Sequence, residues 1–180
     1  MKITKHRLDG VEQVDCPNMD ERSGDKITLI VIHNISLPAG HFGSSCIRRL
    51  FCNELDTTTH VDFSDLVDMR VSSHLFIRRD GSVLQFVPFN KRAWHAGESI
   101  FNGQSGCNDF SIGIELEGTD DSDFREVQYR RLAKITDQLL AQYHIPLDNI
   151  VGHCDIAPGR KTDPGPQFDW IKFRKSLRTV

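Results

Sequence analysis

An α/β domain with a mixed central β-sheet flanked by α-helices is the fold that three observations predict. Strand-length apolar runs alternate with helix-period segments, a turn-linked pair of strands sits mid-chain, and 180 residues with 38% hydrophobic content suffice for one core. The whole chain, 1–180, reads as that single domain. Ile27-Thr28-Leu29-Ile30-Val31-Ile32 is a short β-branched run that suits a strand covered on both faces. From 44 to 55, Ile47, Leu50 and Phe51 fall at helical spacing behind Ser44 or Ser45 as a cap. Residues 73–78 and 83–88 flank Asp80-Gly81, a pair that tolerates the positive φ of a hairpin turn. In 111–117, Ile112, Ile114 and Leu116 alternate with Glu115 and Glu117, which puts both carboxylates on one face of a strand. Val127, Leu132, Ile135, Leu139 and Tyr143 mark an amphipathic helix over 123–143, with Asp123 and Glu126 spaced as a cap pair and Pro146 beyond its end. A short strand at 149–151 and a helix over 168–177, with Trp170, Phe173 and Leu177 inward, complete the order β-α-β-β-β-α-β-α.

Composition narrows the partners. A formal charge of −3, with lysine and arginine scattered apart from pairs such as Arg78-Arg79 and Arg130-Arg131, offers no stripe for a polyanion, so nucleic acid is not an expected partner. Nowhere do about 18 uncharged apolar residues follow one another, and the basic N-terminus has no apolar run behind it; neither a membrane span nor a standard export signal is expected. Five cysteines without a C-x-x-C pair suit reduced thiols in a cytoplasm. Nothing demands an oligomer, and a monomer is the expectation.

The chemistry concentrates in residues 151–166, where His153, Lys161 and Asp163 sit among three prolines and three glycines. Rigid backbone around ionisable groups is what a metal or catalytic site requires. His33 follows the first strand and His153 the strand at 149–151, and strand ends far apart in sequence meet in space. Asp163, ten residues after His153, joins them only if the loop doubles back. Two imidazoles and one carboxylate are a common catalytic zinc set with one tetrahedral position left for water. Spacing alone leaves alternatives open, because there are eight histidines and no H-E-x-x-H pattern. His6, His41, His60 and His144 suit loops or solvent, and His74 suits a hydrogen-bonded core position. Glu115 could face water or pair with an arginine, although Gly113 leaves room beside it for a close approach to the backbone. Lys161 is by default a solvated lysine.

Four strings decide further: Val31-Ile32-His33-Asn34-Ile35-Ser36-Leu37-Pro38, Arg92-Ala93-Trp94-His95-Ala96-Gly97, the run from Cys107-Asn108-Asp109 through Ile114-Glu115-Leu116-Glu117-Gly118, and Gly152-His153 through Lys161-Thr162-Asp163-Pro164-Gly165-Pro166. Together they resemble the zinc-dependent N-acetylmuramoyl-L-alanine amidases, a family whose fold is shared by phage lysozyme-like amidases and peptidoglycan recognition proteins, and the match runs from about 27 to 174. The resemblance implies one zinc ion on His33, His153 and Asp163, Glu115 as general base and Lys161 as stabiliser of the oxyanion. It implies hydrolysis of the amide between anhydro-N-acetylmuramic acid and L-alanine in cytoplasmic muropeptides during peptidoglycan recycling. Asn34, Arg70, Trp94 and His95 are expected sugar or lactyl contacts, although Trp94 equally suits a core aromatic and Arg70 an ion-pair partner. Two rival readings are a muropeptide-binding module without catalysis and a structural metal closed by Cys154. Residues 102–106 are uncharged where the family often carries arginines, so the stem-peptide carboxylates are expected to be held differently here.

Overall fold

A computed structural model describes residues 1–178. Four short strands open the chain, β1 (Ile3–Thr4), β2 (Arg7–Leu8), β3 (Glu12–Gln13) and β4 (Met19–Glu21). They are followed by β5 (Leu29–Ile35), α1 (Cys46–Phe51), β6 (Leu75–Ile77), β7 (Val83–Gln85), β8 (Lys91–Ala93), β9 (Ile100–Phe101) and β10 (Gln104–Ser105). Then come β11 (Ser111–Glu117), α2 (Glu126–Tyr143), β12 (Ile150–Gly152), α3 (His153–Ile156) and α4 (Trp170–Ser176). Six strands form a mixed sheet in the order β12-β5-β11-β6-β7-β3. Its first four are parallel, β6 and β7 make the antiparallel hairpin, and β3 runs parallel to β7 at the edge.

Alternation along the central strands creates two different faces. Ile30, Ile32, Ile112, Ile114 and Leu116 pack with Leu132, Ile135 and Leu139 of α2 and Phe173 of α4 in the largest core cluster. Leu29 and Val31 belong to a smaller cluster with Ala96, Cys107, Phe110 and Ile156. Every residue of β11 is buried, glutamates included. Functional side chains therefore stand on the face away from α2. No helix among the described residues is long and apolar enough to cross a membrane, and all five cysteines are free.

Several boundaries differ from those the pattern suggests. β5 continues past His33 to Ile35 because Asn34 and Ile35 keep pairing with Leu116 and Glu117 of β11, so His33 lies inside the strand. α1 is only six residues long; Ser44 Oγ, rather than Ser45, accepts the Cys46 N–H, and Asn53 soon adopts positive φ. α2 begins at Glu126, where Gln128 Oε1 accepts the Arg125 N–H, so the Asp123 and Glu126 pair is not the cap. α4 starts at Trp170 with Asp169 accepting the Lys172 N–H; Phe173 is inward and Trp170 only half-buried.

His74 is the core histidine its position suggests. The Gly113 N–H donates to its Nδ1 (3.1 Å), so the neutral ring carries its proton on Nε2, facing the Lys91 carbonyl at 3.1 Å. Burial, and then the nearby Arg22 guanidinium, hold its pKa well below the usual imidazole value. The unfolded chain takes up a proton here below about pH 6.5 while the folded protein does not. This contribution is complete above that pH and is lost as pH falls, at about 1.4 kcal/mol per pH unit. Urea unfolding between about pH 7.5 and about pH 5 should show a shallower slope for His74→Asn than for the wild type, by one proton's worth.

Candidate metal centre and active site

Parallel register sets the first pair of groups. His33 of β5 and Glu115 of β11 are direct Cα partners, so their side chains project side by side on one face. His153 comes from the next strand over, at the first position of α3 immediately after β12. Asp163 reaches them because the chain after α3 doubles back: the Cys154 N–H donates to the Asp163 carbonyl at 3.0 Å, and Pro164 packs where a side chain on Gly152 would lie. The segment expected to be all loop thus begins as a helical turn.

Three ligand atoms converge. His33 Nδ1 lies 2.9 Å from Asp163 Oδ2, His153 Nδ1 lies 3.1 Å from the same oxygen, and the two Nδ1 atoms are 3.1 Å apart. Ligands about 2.0–2.2 Å from a tetrahedral ion stand about 3.3 to 3.5 Å from one another, a few tenths wider than these separations. The donor chemistry fits a cation as well. His153 Nε2 lies 3.0 Å from the Ala96 carbonyl, which can only accept, so a neutral ring presents a lone pair from Nδ1 to a carboxylate oxygen. A shared cation satisfies both. Among the described residues this is the group of histidine, cysteine and acidic side chains close enough to hold an ion, and Cys154 is not part of it. Burial pushes the Asp163 carboxyl up, but the two imidazoles outweigh it and hold it well below the usual carboxylate range. Burial lowers the His33 pKa, with Asp163 opposing.

Glu115 is 8% exposed, and its Oε2 has no hydrogen-bond partner. Burial pushes its carboxyl well above the ordinary range, the Asp163 charge adds to that, and the Lys161 ammonium opposes it. Glu117 shares the face but not the site: it accepts the Gly43 and Arg79 N–H groups at 2.5 and 2.9 Å and ties two loops together. His33, Glu115, His153, Lys161 and Asp163 line one cleft of about 310 Å³, walled by Asn34, Leu37, Leu66, Met69 and Trp94. Roomier depressions elsewhere, such as one of about 400 Å³ beside Arg78 and Arg131, contain no such convergence.

The four expected substrate contacts fall in different places. Trp94 is half-buried on the cleft wall, and Asn34 lines it while donating to Asp120 Oδ1 at 2.7 Å. Arg70 is not in the cleft: it is exposed, lines the neighbouring depression and donates to its neighbour's carbonyl at Met69, without an ion pair among the described residues. His95 lines the cleft beside His33, with both ring nitrogens within hydrogen-bond distance of protein atoms, Nδ1 of His33 Nε2 (2.9 Å) and Nε2 of Ser111 Oγ (3.1 Å). Ser111, Asn108 and the Ala96 carbonyl were not singled out from sequence. The hint was Gly113, whose missing side chain leaves the space that the His95 ring fills.

Comparison with known proteins agrees with this architecture. A family profile described as N-acetylmuramoyl-L-alanine amidase matches residues 23–166. The chain is 52% identical over 175 residues to the 1,6-anhydro-N-acetylmuramyl-L-alanine amidase AmpD of Escherichia coli, covering 97% of this chain and 96% of that one. It superposes on a crystal structure of a selenomethionine AmpD derivative with a TM-score of 0.96 at 48% identity, covering 98% and 99% of the two chains. The E. coli amidase AmiD, in complex with anhydro-N-acetylmuramic acid-L-Ala-D-γ-Glu-L-Lys, is 29% identical with a TM-score of 0.62, covering 94% of this chain and 60% of that one. On sequence, fold and site together, the chain belongs to the N-acetylmuramoyl-L-alanine amidase family.

Proposed function

We propose that this protein hydrolyses the amide between the lactyl group of anhydro-N-acetylmuramic acid and the L-alanine of the stem peptide, in the cytoplasm during peptidoglycan recycling, with one zinc ion on His33, His153 and Asp163. The observation that carries the reading is the convergence of those three ligand atoms beside a buried, unpartnered carboxylate in an open cleft. Zinc held there supplies the Lewis acidity that polarises an amide carbonyl and makes water a nucleophile near neutral pH. Glu115 takes a proton from the attacking water, and its burial, which raises its proton affinity, lets it hold that proton until the amide nitrogen leaves. The C–N bond breaks as that proton passes to the alanine nitrogen. Lys161, exposed at the cleft mouth, offers its ammonium to the negative charge that develops on the carbonyl oxygen. Trp94 gives the sugar a flat apolar face and Asn34 a polar contact.

The names of the E. coli AmpD relative and of the AmiD substrate complex support this choice of substrate. A binding module without catalysis has no use for a buried free carboxylate beside its ligand set. Metal analysis of the purified protein, together with chromatography of an anhydro-N-acetylmuramyl-L-alanyl peptide incubated with it, tests the reading. The expected result is about one zinc per chain and release of the peptide with a free alanine terminus, abolished by a chelator and restored by zinc. Metal without release would leave the binding module or the structural metal standing instead.

A further inference from the structure

The string from Arg92 to Gly97 supplies Trp94 to the cleft wall and sets the His95 ring and the Ala96 carbonyl against the two ligand histidines. We infer that His95 is a positioning residue for the metal, holding His33 in the tautomer that leaves Nδ1 free; this rests on reading His33, His153 and Asp163 as the ligand set.

A neutral imidazole carries one proton. For His33 to present a lone pair from Nδ1, that proton must sit on Nε2 and needs an acceptor there. The atom 2.9 Å from His33 Nε2 is His95 Nδ1. Accepting that proton forces the His95 proton onto its own Nε2, which lies 3.1 Å from Ser111 Oγ, an oxygen able to accept. The whole chain of hydrogen bonds then points away from the metal.

Three features lock His95 in this role. Its ring lies against Gly113 of β11, where an added Cβ would stand 2.4 Å from the ring's Cγ. Its backbone N–H and that of Ala96 both donate to Asn108 Oδ1, at 3.1 and 2.8 Å. The Ala96 carbonyl, also held by Arg160 Nη2 at 2.7 Å, is the acceptor for His153 Nε2. Adjacent residues thus set the proton of both ligand histidines, one through a side chain and one through a carbonyl. Such outer partners fix ring orientation and tautomer, and losing one typically costs about 10- to 100-fold in metal affinity.

Two substitutions separate the hydrogen bond from the packing. His95→Phe keeps a ring over Gly113 and removes the acceptor; His95→Asn places an oxygen near the Nδ1 position. Zinc affinity, measured by competition with a chromogenic chelator, should weaken about 10- to 100-fold in His95→Phe and recover most of that loss in His95→Asn. In the metal-free protein, nitrogen NMR should show the His33 ring with its proton on Nε2 in the wild type and a mixture of tautomers in His95→Phe. Equal zinc affinity and an unchanged His33 tautomer in His95→Phe would overturn the inference while leaving the metal reading intact. A wild-type protein that takes up no zinc would instead overturn the metal reading, and this role with it. Should His95→Phe not fold, Ser111→Ala decides, since it removes the far end of the chain: weakened zinc binding supports the role and unchanged binding overturns it.

Discussion

Glu115→Gln is expected to keep its zinc and its fold while cleaving the amide about 10²- to 10⁴-fold more slowly, the range that a positioned acid or base contributes. Glutamine has the same length and nearly the same volume, so β11 and its register with β5 are undisturbed. What it lacks is the ability to take a proton at pH 7. The substitution should also stabilise the metal-free protein, because Glu115 is a buried carboxylate whose Oε2 finds no partner and burying such a group costs free energy. Slower turnover with a higher melting temperature is a pair of effects that a residue with only a packing role would not produce. Chromatography of the released peptide, metal analysis and a thermal melt read all three quantities. A variant that keeps most of its turnover with zinc bound would remove Glu115 from the mechanism.

Long periodic patterns made much of the fold readable. The alternation of β11, the apolar run of β5, the Asp80-Gly81 hairpin and the 3.6-residue period of α2 each repeat a signal over several residues. β6 and β7 are also short but lie within the longer stretches 73–78 and 83–88 around a turn signal, whereas β1 to β4 and β8 to β10 sit in no such stretch and are not read from the sequence; β3 is a strand because β7 offers it an edge, and β4 because β8 does. The same limit applies to the site. Residue types, a rigid setting and strand-end positions mark His33, His153 and Asp163 as candidates, but spacing leaves alternatives open among eight histidines, and the resemblance to a family is what favours this set. The approach of Asp163 is set by long-range contacts, the hydrogen bond from the Cys154 N–H to its carbonyl and the packing of Pro164 over Gly152, which no local pattern announces. His95 lines the cleft and also hydrogen-bonds His33, and this second contact is not legible in the sequence, which shows that Gly113 leaves a gap but not which ring enters it. Arg70, an expected sugar or lactyl contact, is exposed and lines the depression beside the cleft.

Gly113→Ala puts that gap to a direct test and should be among the most damaging single-methyl additions in the protein. Two effects oppose each other. Gly113 sits in the middle of a strand without positive φ, so alanine would ordinarily stabilise it by about 0.5–1 kcal/mol through lost chain entropy. Against this, the new Cβ would lie 2.4, 2.6 and 2.7 Å from Cγ, Nδ1 and Cδ2 of His95. Those atoms belong to the body of a ring held by hydrogen bonds at both nitrogens, not to a flexible tip, and overpacking of this kind costs about 1–3 kcal/mol. Overpacking wins, and the ring must slide, which takes its Nδ1 away from His33. Reduced stability in urea should therefore be accompanied by weaker zinc binding. The decisive measurement is a double-mutant cycle with His95→Ala, which empties the space the methyl group needs: the alanine at 113 should then cost nothing, with a coupling between the two sites of about 0.5–3 kcal/mol. Strictly additive effects would mean that the ring and the glycine are not the packed pair that sets the proton on His33.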